Sequence, residues 1–482
     1  MKIKRKIGIL TVSLLALAAG IFWLMPESRL EKGMVIVTAV PSGFDLTIED
    51  MGTDNRYIAG SQIIVLRMDA DNSEIEPILL TEDFYSARAP EISYNGEKMV
   101  FSGQKSQHET WQIFTMDFKS FKVSQITVGN KNCTDPTWLP DGRIAFSMQD
   151  EDKLTGTVHR LYACEPDGND TKQLTFSPNS SFASSIFRDG RILILEEQQF
   201  PQRNRRKLMA LRIDGTKSEL FYESKESSEV IGKGWEAGEK VFFIEREIQD
   251  PEKTNIVSVN QGRPLSSFNN LSENISGEFN SLSPSGGEYM LVSYREKKEQ
   301  TFGLYSFDLT SEDLAEVIYT NSEYHIIEPV LVADRQVPMK LPPIVDESKD
   351  KGRLLCLNTD LSMDDPGLDD GKKTAKVQIF GIDEMIGEVP VEEDGSFYIE
   401  IDADTPVRFQ TVDAQGEVLR GPSSWIWVRP NEKRSCIGCH EDRELAPDNK
   451  VPDALYAGMM KFPEGEMTAA IVINGKEEDD EE

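Results

Sequence analysis

The sequence predicts an all-β protein: a six-bladed β-propeller followed by a small β-sandwich. Two observations carry the ring. Short apolar runs alternate with polar residues and end in glycine-containing turns, the pattern of short strands. Two separate landmarks also recur along the middle of the chain with one common period. The sandwich rests on a change of pattern after residue 373, where short strands continue but the period is lost.

The first landmark is a hairpin glycine inside alternating apolar residues, at Gly96, Gly142, Gly190, Gly238 and Gly286, in steps of 46, 48, 48 and 48. The second is an apolar strand ending in a turn acid or its stand-in, at Asp117, Asp167, Asp214, Gln261 and Asp308, in steps of 50, 47, 47 and 47. A period near 48 residues with about four short strands is one propeller blade. Asp-Gly and Asn-Gly pairs suit the tight hairpins because they tolerate positive φ.

The same ruler predicts how the ring closes. One period before Asp117 lies Asp69, and one period after Gly286 lies Asp334. A segment near 325–333 therefore supplies the inner strand of the first blade, and segments near 34–40, 62–68 and 76–81 supply the other three. Mixing the two ends ties the ring shut and leaves no free sheet edge.

Before the ring, Lys2, Lys4, Arg5 and Lys6 precede an uncharged apolar run from Ile7 to Met25. A basic start followed by an apolar stretch is an export signal, and this one is long enough to span a bilayer. The chain is expected to be exported to the periplasm or cell envelope, with residues 7–25 either cleaved or kept as an anchor. After the ring, 340–372 is rich in proline and acids and reads as a crossing linker. Asp360, Asp364, Asp365, Asp369 and Asp370 offer oxygens to a Ca²⁺ ion but match no EF-hand spacing, and a solvated acidic loop is the simpler reading. The expected division is 1–25 for the leader or anchor, 34–338 for the propeller, 339–372 for the linker, 373–430 for the sandwich, 431–465 for a cofactor segment and 466–482 for an acidic tail.

The chain has 482 residues, with 83 Asp and Glu against 52 Lys and Arg, a formal charge of −31. That balance excludes a nucleic-acid partner, which needs a cationic face. It also opposes docking of the exposed surface on anionic lipid, so any membrane contact is expected only through the N-terminal segment. A charged partner is expected to present basic groups.

The chemistry lies in Cys436, Cys439 and His440, which form C-x-x-C-H, the attachment signal of c-type haem. Two thiols three residues apart reach the vinyl groups from one side, and the following histidine faces the iron as proximal ligand. Attachment requires export, which the leader supplies independently. A Cys436–Cys439 disulfide, a zinc site and a thioredoxin-like pair are the alternatives, and each lacks its usual context. Trp425 and Trp427, alternating on a strand, and Leu455, Tyr456, Met459, Met460 and Phe462 offer an apolar bed for the porphyrin or simply a small core. The sixth iron position is open to Met459, Met460 or His325. Methionine there raises the potential, whereas an open position permits chemistry at the iron. Cys133 and Cys164 fall in one blade, as two buried thiols or a disulfide. With four histidines in all, a histidine-based hydrolase is not expected, and no catalytic residue is assigned.

The blades, read through PTWLPDGRIAFS and RLYACEPDGNDTKQLTFSP, resemble TolB-type repeats over roughly residues 60–335. The later stretch, through YHIIEPV, PPIVDESKDKGRLLCLN, DADTPVRFQTVDAQGEVL and SSWIWVRPNEKRSCIGCHEDRELAPDNKVPDAL, resembles hydrazine synthase alpha-subunit-like proteins. The resemblance implies a six-bladed propeller joined to a c-haem segment. It carries over Cys436, Cys439 and His440 alone, and not hydrazine synthesis. The expectation is an exported cytochrome with one covalent haem c, passing electrons within or next to a redox complex to a partner with a basic docking face. Two rival expectations stand beside it. One is a five-coordinate haem enzyme acting on a small nitrogen, oxygen or sulfur compound, and the other is a propeller that binds or scaffolds without redox chemistry.

Overall fold

A computed structural model describes residues 30–46, 56–67, 76–152, 155–199, 205–361, 373–438, 449–463 and 466–467. The expected leader or anchor and most of the acidic tail lie outside them. No helix among the described residues is long and apolar enough to cross a membrane.

Six four-stranded antiparallel sheets follow one another around a ring. Their inner strands are Tyr324–Leu331 in blade 1, Ser86–Ile92 in blade 2, Cys133–Trp138 in blade 3, Ser180–Ile186 in blade 4, Ser228–Ala237 in blade 5 and Glu278–Gly286 in blade 6. Blade 1 mixes the chain ends: Tyr324–Leu331 pairs with Val35–Pro41, which continues to Gln62–Leu66 and Ile78–Leu79. This is the closure expected from the period.

Both landmarks now have a physical role. The five hairpin glycines adopt φ between +66° and +98°, where a Cβ is strained. The turn acids accept backbone N–H groups just ahead of them: Asp117 from Ser120, Asp167 from Asn169, Asp214 from Thr216 and Asp308 from Thr310. Such Asx turns hold the link between third and fourth strands. The period is therefore a repeat of turn chemistry as much as of hydrophobicity.

One further feature recurs. Every inner strand carries a bulge at about the same depth, seen as a register shift against its neighbour. Ala89, Asp135, Gly232 and Glu328 sit there with φ between +50° and +68°. Proline follows three of them, at Pro90, Pro136 and Pro329, where the ladder asks for no N–H.

Beyond the ring, Arg335 bonds Glu91 in blade 2, and the Met339 N–H donates to Arg188 O in blade 4. The chain thus crosses the ring face that carries the first hairpin turns. The sandwich that follows differs from expectation in extent. One sheet runs Lys433–Cys436, Lys351–Cys356, Phe397–Asp402, Met460–Lys461 and Glu466–Met467, and the other runs Met385–Pro390, Lys376–Phe380, Arg408–Val412 and Val418–Arg420. The stretch read as linker therefore supplies a strand flanked on both sides in its sheet, and the stretch read as cofactor segment supplies two more. Gly352, Leu354 and Cys356 face the core while Lys351, Arg353 and Leu355 alternate outward, a pattern that the flanking acids and prolines obscured.

Candidate functional site

Cys436 ends an edge strand that pairs in parallel with Lys351–Cys356, with Cys436 opposite Cys356. Past the strand, the Leu357 N–H donates to Cys436 O and the Asn358 N–H to Ile437 O, at 2.9 and 3.1 Å. A Cβ on Gly438 would lie 2.0 Å from the Leu361 carbonyl oxygen, so only glycine fits between the two motif cysteines at this position. The backbone entering the motif is therefore firmly positioned. Cys439 and His440 lie outside the described residues.

The Cys436 side chain packs, half-buried, on the sandwich core with Leu354, Cys356, Ile399, Val428 and Phe462. Met460 packs on the same cluster from Met460–Lys461. Two strands separate it from the Cys436 strand, roughly 14 Å at the usual spacing between strands. Met459 is buried beside it. The sheet thus brings Cys436 and Met460 to one apolar region, a surrounding that suits a largely apolar macrocycle and a soft thioether donor.

His325 does not join them. It lies in blade 1, buried against the Phe302 ring, which Arg295 covers, and its Nδ1 accepts the Phe302 N–H at 3.1 Å. Burial, then the positive charge of Arg295, depresses its pKa. The sandwich docks on blades 3 and 4, the latter opposite blade 1 in the ring, so His325 lies away from the Cys436 region.

The tryptophans are also reassigned. Among the described residues their segment forms one bridge, Val407 to Ile426, and no strand. Trp427 is fully buried among Leu139, Leu161, Ile192 and Met209 of blades 3 and 4, and its indole N–H donates to Gly215 O at 3.2 Å. It fastens the sandwich to the ring. Beside it, the enclosed Glu432 carboxylate accepts the Lys217 and Arg429 N–H groups at 2.7 and 2.8 Å. Trp425 lies with its ring 5.0 Å from the Arg408 guanidinium.

Cys133 and Cys164 are buried and unbridged in blade 3, and burial pushes their thiols up to about 11 and about 12, so they are poor nucleophiles. Of the linker acids, Asp360 accepts from Thr374 at 2.9 Å, and the other four lie outside the described residues.

A second arrangement, spread too widely along the chain to form a motif, lies in the middle of the ring. Arg56 pairs with Asp135 at 2.7 Å, and Arg88 pairs with Glu328. Glu328 also accepts from Thr38 at 2.7 Å and from the Ala89 N–H at 2.8 Å. Burial works to raise the Glu328 pKa, but Arg88 and these donors outweigh it and hold the carboxyl below its usual value. Nearby, the Tyr57 hydroxyl lies 2.6 Å from Nε2 of His159, whose pKa burial and Arg56 push down to about 4.

Comparison with known proteins places these features. A family model described as the hydrazine synthase alpha subunit middle domain matches residues 354–441, which run from the Lys351–Cys356 strand through His440. The fold resembles a chain of Kuenenia stuttgartiensis hydrazine synthase at a TM-score of 0.75 and 19% identity, over 88% of this chain and 72% of that one. TolB from Acinetobacter baumannii aligns at a TM-score of 0.44 and 13% identity, over 62% of this chain and 66% of that one. No curated protein matches the chain.

Proposed function

We propose that this protein is an exported c-type cytochrome with one covalent haem, built on a propeller scaffold and passing electrons within or next to a redox complex. The observation that carries the reading is the C-x-x-C-H motif, opened by Cys436 at the end of a sheet strand and facing an apolar cluster that also holds Met460. The family-model match across the same residues supports it, as does the fold likeness to a hydrazine synthase chain.

In this reading Cys436 and Cys439 form the thioethers and His440 is the proximal ligand. Bound haem supplies a one-electron iron couple. The chain's own residues do the rest. The Leu357 and Asn358 N–H groups fix the strand end that presents Cys436. Met460 or Met459 offers a thioether from the apolar side. The cluster of Leu354, Ile399, Val428 and Phe462 excludes water, which favours the less charged state of a buried redox centre. The acidic surface favours a redox partner with a basic face, and association should weaken with added salt.

The test is an optical spectrum of the full chain exported in cells with c-type haem maturation, oxidised and reduced, with and without carbon monoxide. The expected result is covalent haem with a low-spin spectrum insensitive to carbon monoxide, lost in Cys436→Ala and turned carbon-monoxide-sensitive by Met460→Leu or Met459→Leu. A high-spin haem that binds carbon monoxide in the unaltered protein overturns the carrier role in favour of chemistry at the iron. A protein that carries no haem overturns both and leaves a binding scaffold.

A further inference from the structure

We propose that the centre of the propeller is a binding site for a small oxyanion, of the size of phosphate, nitrate or a short carboxylate. The inference does not depend on the haem. All six inner strands contribute to a cavity of about 90 Å³, and Leu46, Arg56 and Ile58, which lie between Pro41 and Gln62 in the chain, complete its lining. That volume holds several waters or one such anion.

The charge of the wall decides the sign of the ligand. Arg56, Arg88, Arg206 and Lys233 line the cavity, against the carboxylates of Asp135 and Glu328. Those two are each engaged by an arginine, and Glu197 stands 3.5 Å behind Arg206. Among the described residues four cations therefore face three carboxylates, and Lys233 is the cation with no ion pair there. In a chain of charge −31 this local excess runs against the composition.

The hydrogen-bonding inventory points the same way. Asn280 is nine-tenths buried in the wall, yet its side-chain N–H₂ has no partner among the described residues, and neither has the Nε–H of Arg56. Both are donors, and buried donors left unmatched are costly unless an acceptor arrives. An anion is an acceptor on every side. It would meet Lys233 as its counter-charge, with Asn280 and Arg56 fixing its orientation.

The geometry is prepared in advance. The bulges aim the wall residues inward, and Asp135 and Glu328 take left-handed φ of +50° and +53°, which side chains rarely adopt. Arg56 lies 3.3 Å over the Phe182 ring and is gripped by Asp135, so its guanidinium is already oriented. Lys233 stands between Gly232 and Gly234 in the widest of the six bulges, where the ladder skips from Ile231 to Trp235.

Equilibrium dialysis of the full exported chain tests this, with inorganic phosphate, nitrate and acetate as probes at constant ionic strength. The expected result is saturable binding of at least one probe at one per chain. Lys233→Gln and Asn280→Leu should each weaken it at least tenfold, with the urea midpoint of Lys233→Gln unchanged because Lys233 is partly exposed. Absence of saturable binding for all three probes overturns the proposal, and so does binding that survives both substitutions.

Discussion

The seam between sandwich and ring, and the middle of the ring, are both buried and are built on opposite principles. At the seam one large apolar side chain, Trp427, fills a gap between blades 3 and 4, and its single polar atom reaches Gly215. In the middle, charged groups are paired across blades, Arg56 to Asp135 and Arg88 to Glu328, and donors are left over. Burial of apolar area is non-directional and simply holds the parts together. Buried ion pairs add little net stability, because desolvation offsets their attraction, yet losing one partner is expensive. The difference teaches which region fastens and which recognises.

The largest effect is expected at the seam. Trp427→Ala removes a fully buried indole and leaves a cavity between two units, which costs about 3–5 kcal/mol. Urea unfolding should show an earlier transition, and limited proteolysis should cut near the linker first. A loss under about 1 kcal/mol would mean that the seam is held by Glu432 and Arg429 instead. In the middle of the ring, Glu328→Gln keeps the shape but leaves Arg88 without its counter-charge, for a cost of about 2–3 kcal/mol. Because Glu328 also receives Thr38 and Ala89, Glu328→Ala should be worse than Glu328→Gln, and the order of the two urea midpoints checks it.

The seam and the ring centre also differed in how far the sequence disclosed them. The ring was legible because Gly142, Gly190 and their equivalents repeat a local requirement, positive φ at a hairpin, every 48 residues or so. Local chemistry at a fixed spacing survives in a linear reading. The closure at Tyr324–Leu331 followed from the same ruler. The strand Lys351–Cys356 was hidden, since its three inward residues sit among charges and prolines and its partners lie 41 and more residues away. Trp427 looked like one member of an alternating strand, because W-I-W cannot say which face meets another domain. Arg56, Arg88, Asp135 and Glu328 come from four distant segments, joined only when the ring closes. Of the expected sixth ligands, His325 lies in a blade across the ring from the docked sandwich, a distance that only the closed ring reveals.

The smallest expected effect separates the two regions by pH. At the seam, burial raises the Asp404 pKa to about 6 against the pull of Arg429, which lies 3.2 Å away. Glu432 is raised by burial as well. A raised carboxyl stabilises the fold below its unfolded value, and the contribution is lost as pH rises through the folded value. Acidification from pH 7.5 to 5 should therefore strengthen the seam. Glu328 is depressed and behaves oppositely: its contribution is present above the unfolded value, near 4.5, and fades only as pH falls through its still lower folded value. Glu328 should therefore add nothing to the change between pH 7.5 and 5, whereas buried His159, held down at about 4, costs stability as pH falls below its unfolded value near 6.5. A chain of net charge −31 gains stability on acidification anyway, through weaker self-repulsion, so the seam must be isolated by difference. Asp404→Asn should flatten the rise of the urea midpoint by under about 1 kcal/mol, since Asp404 is partly exposed and screened. Glu328→Gln should leave the slope over that interval as it is. If Asp404→Asn keeps the full slope, the seam carries no proton linkage, and the rise belongs to the surface charge alone.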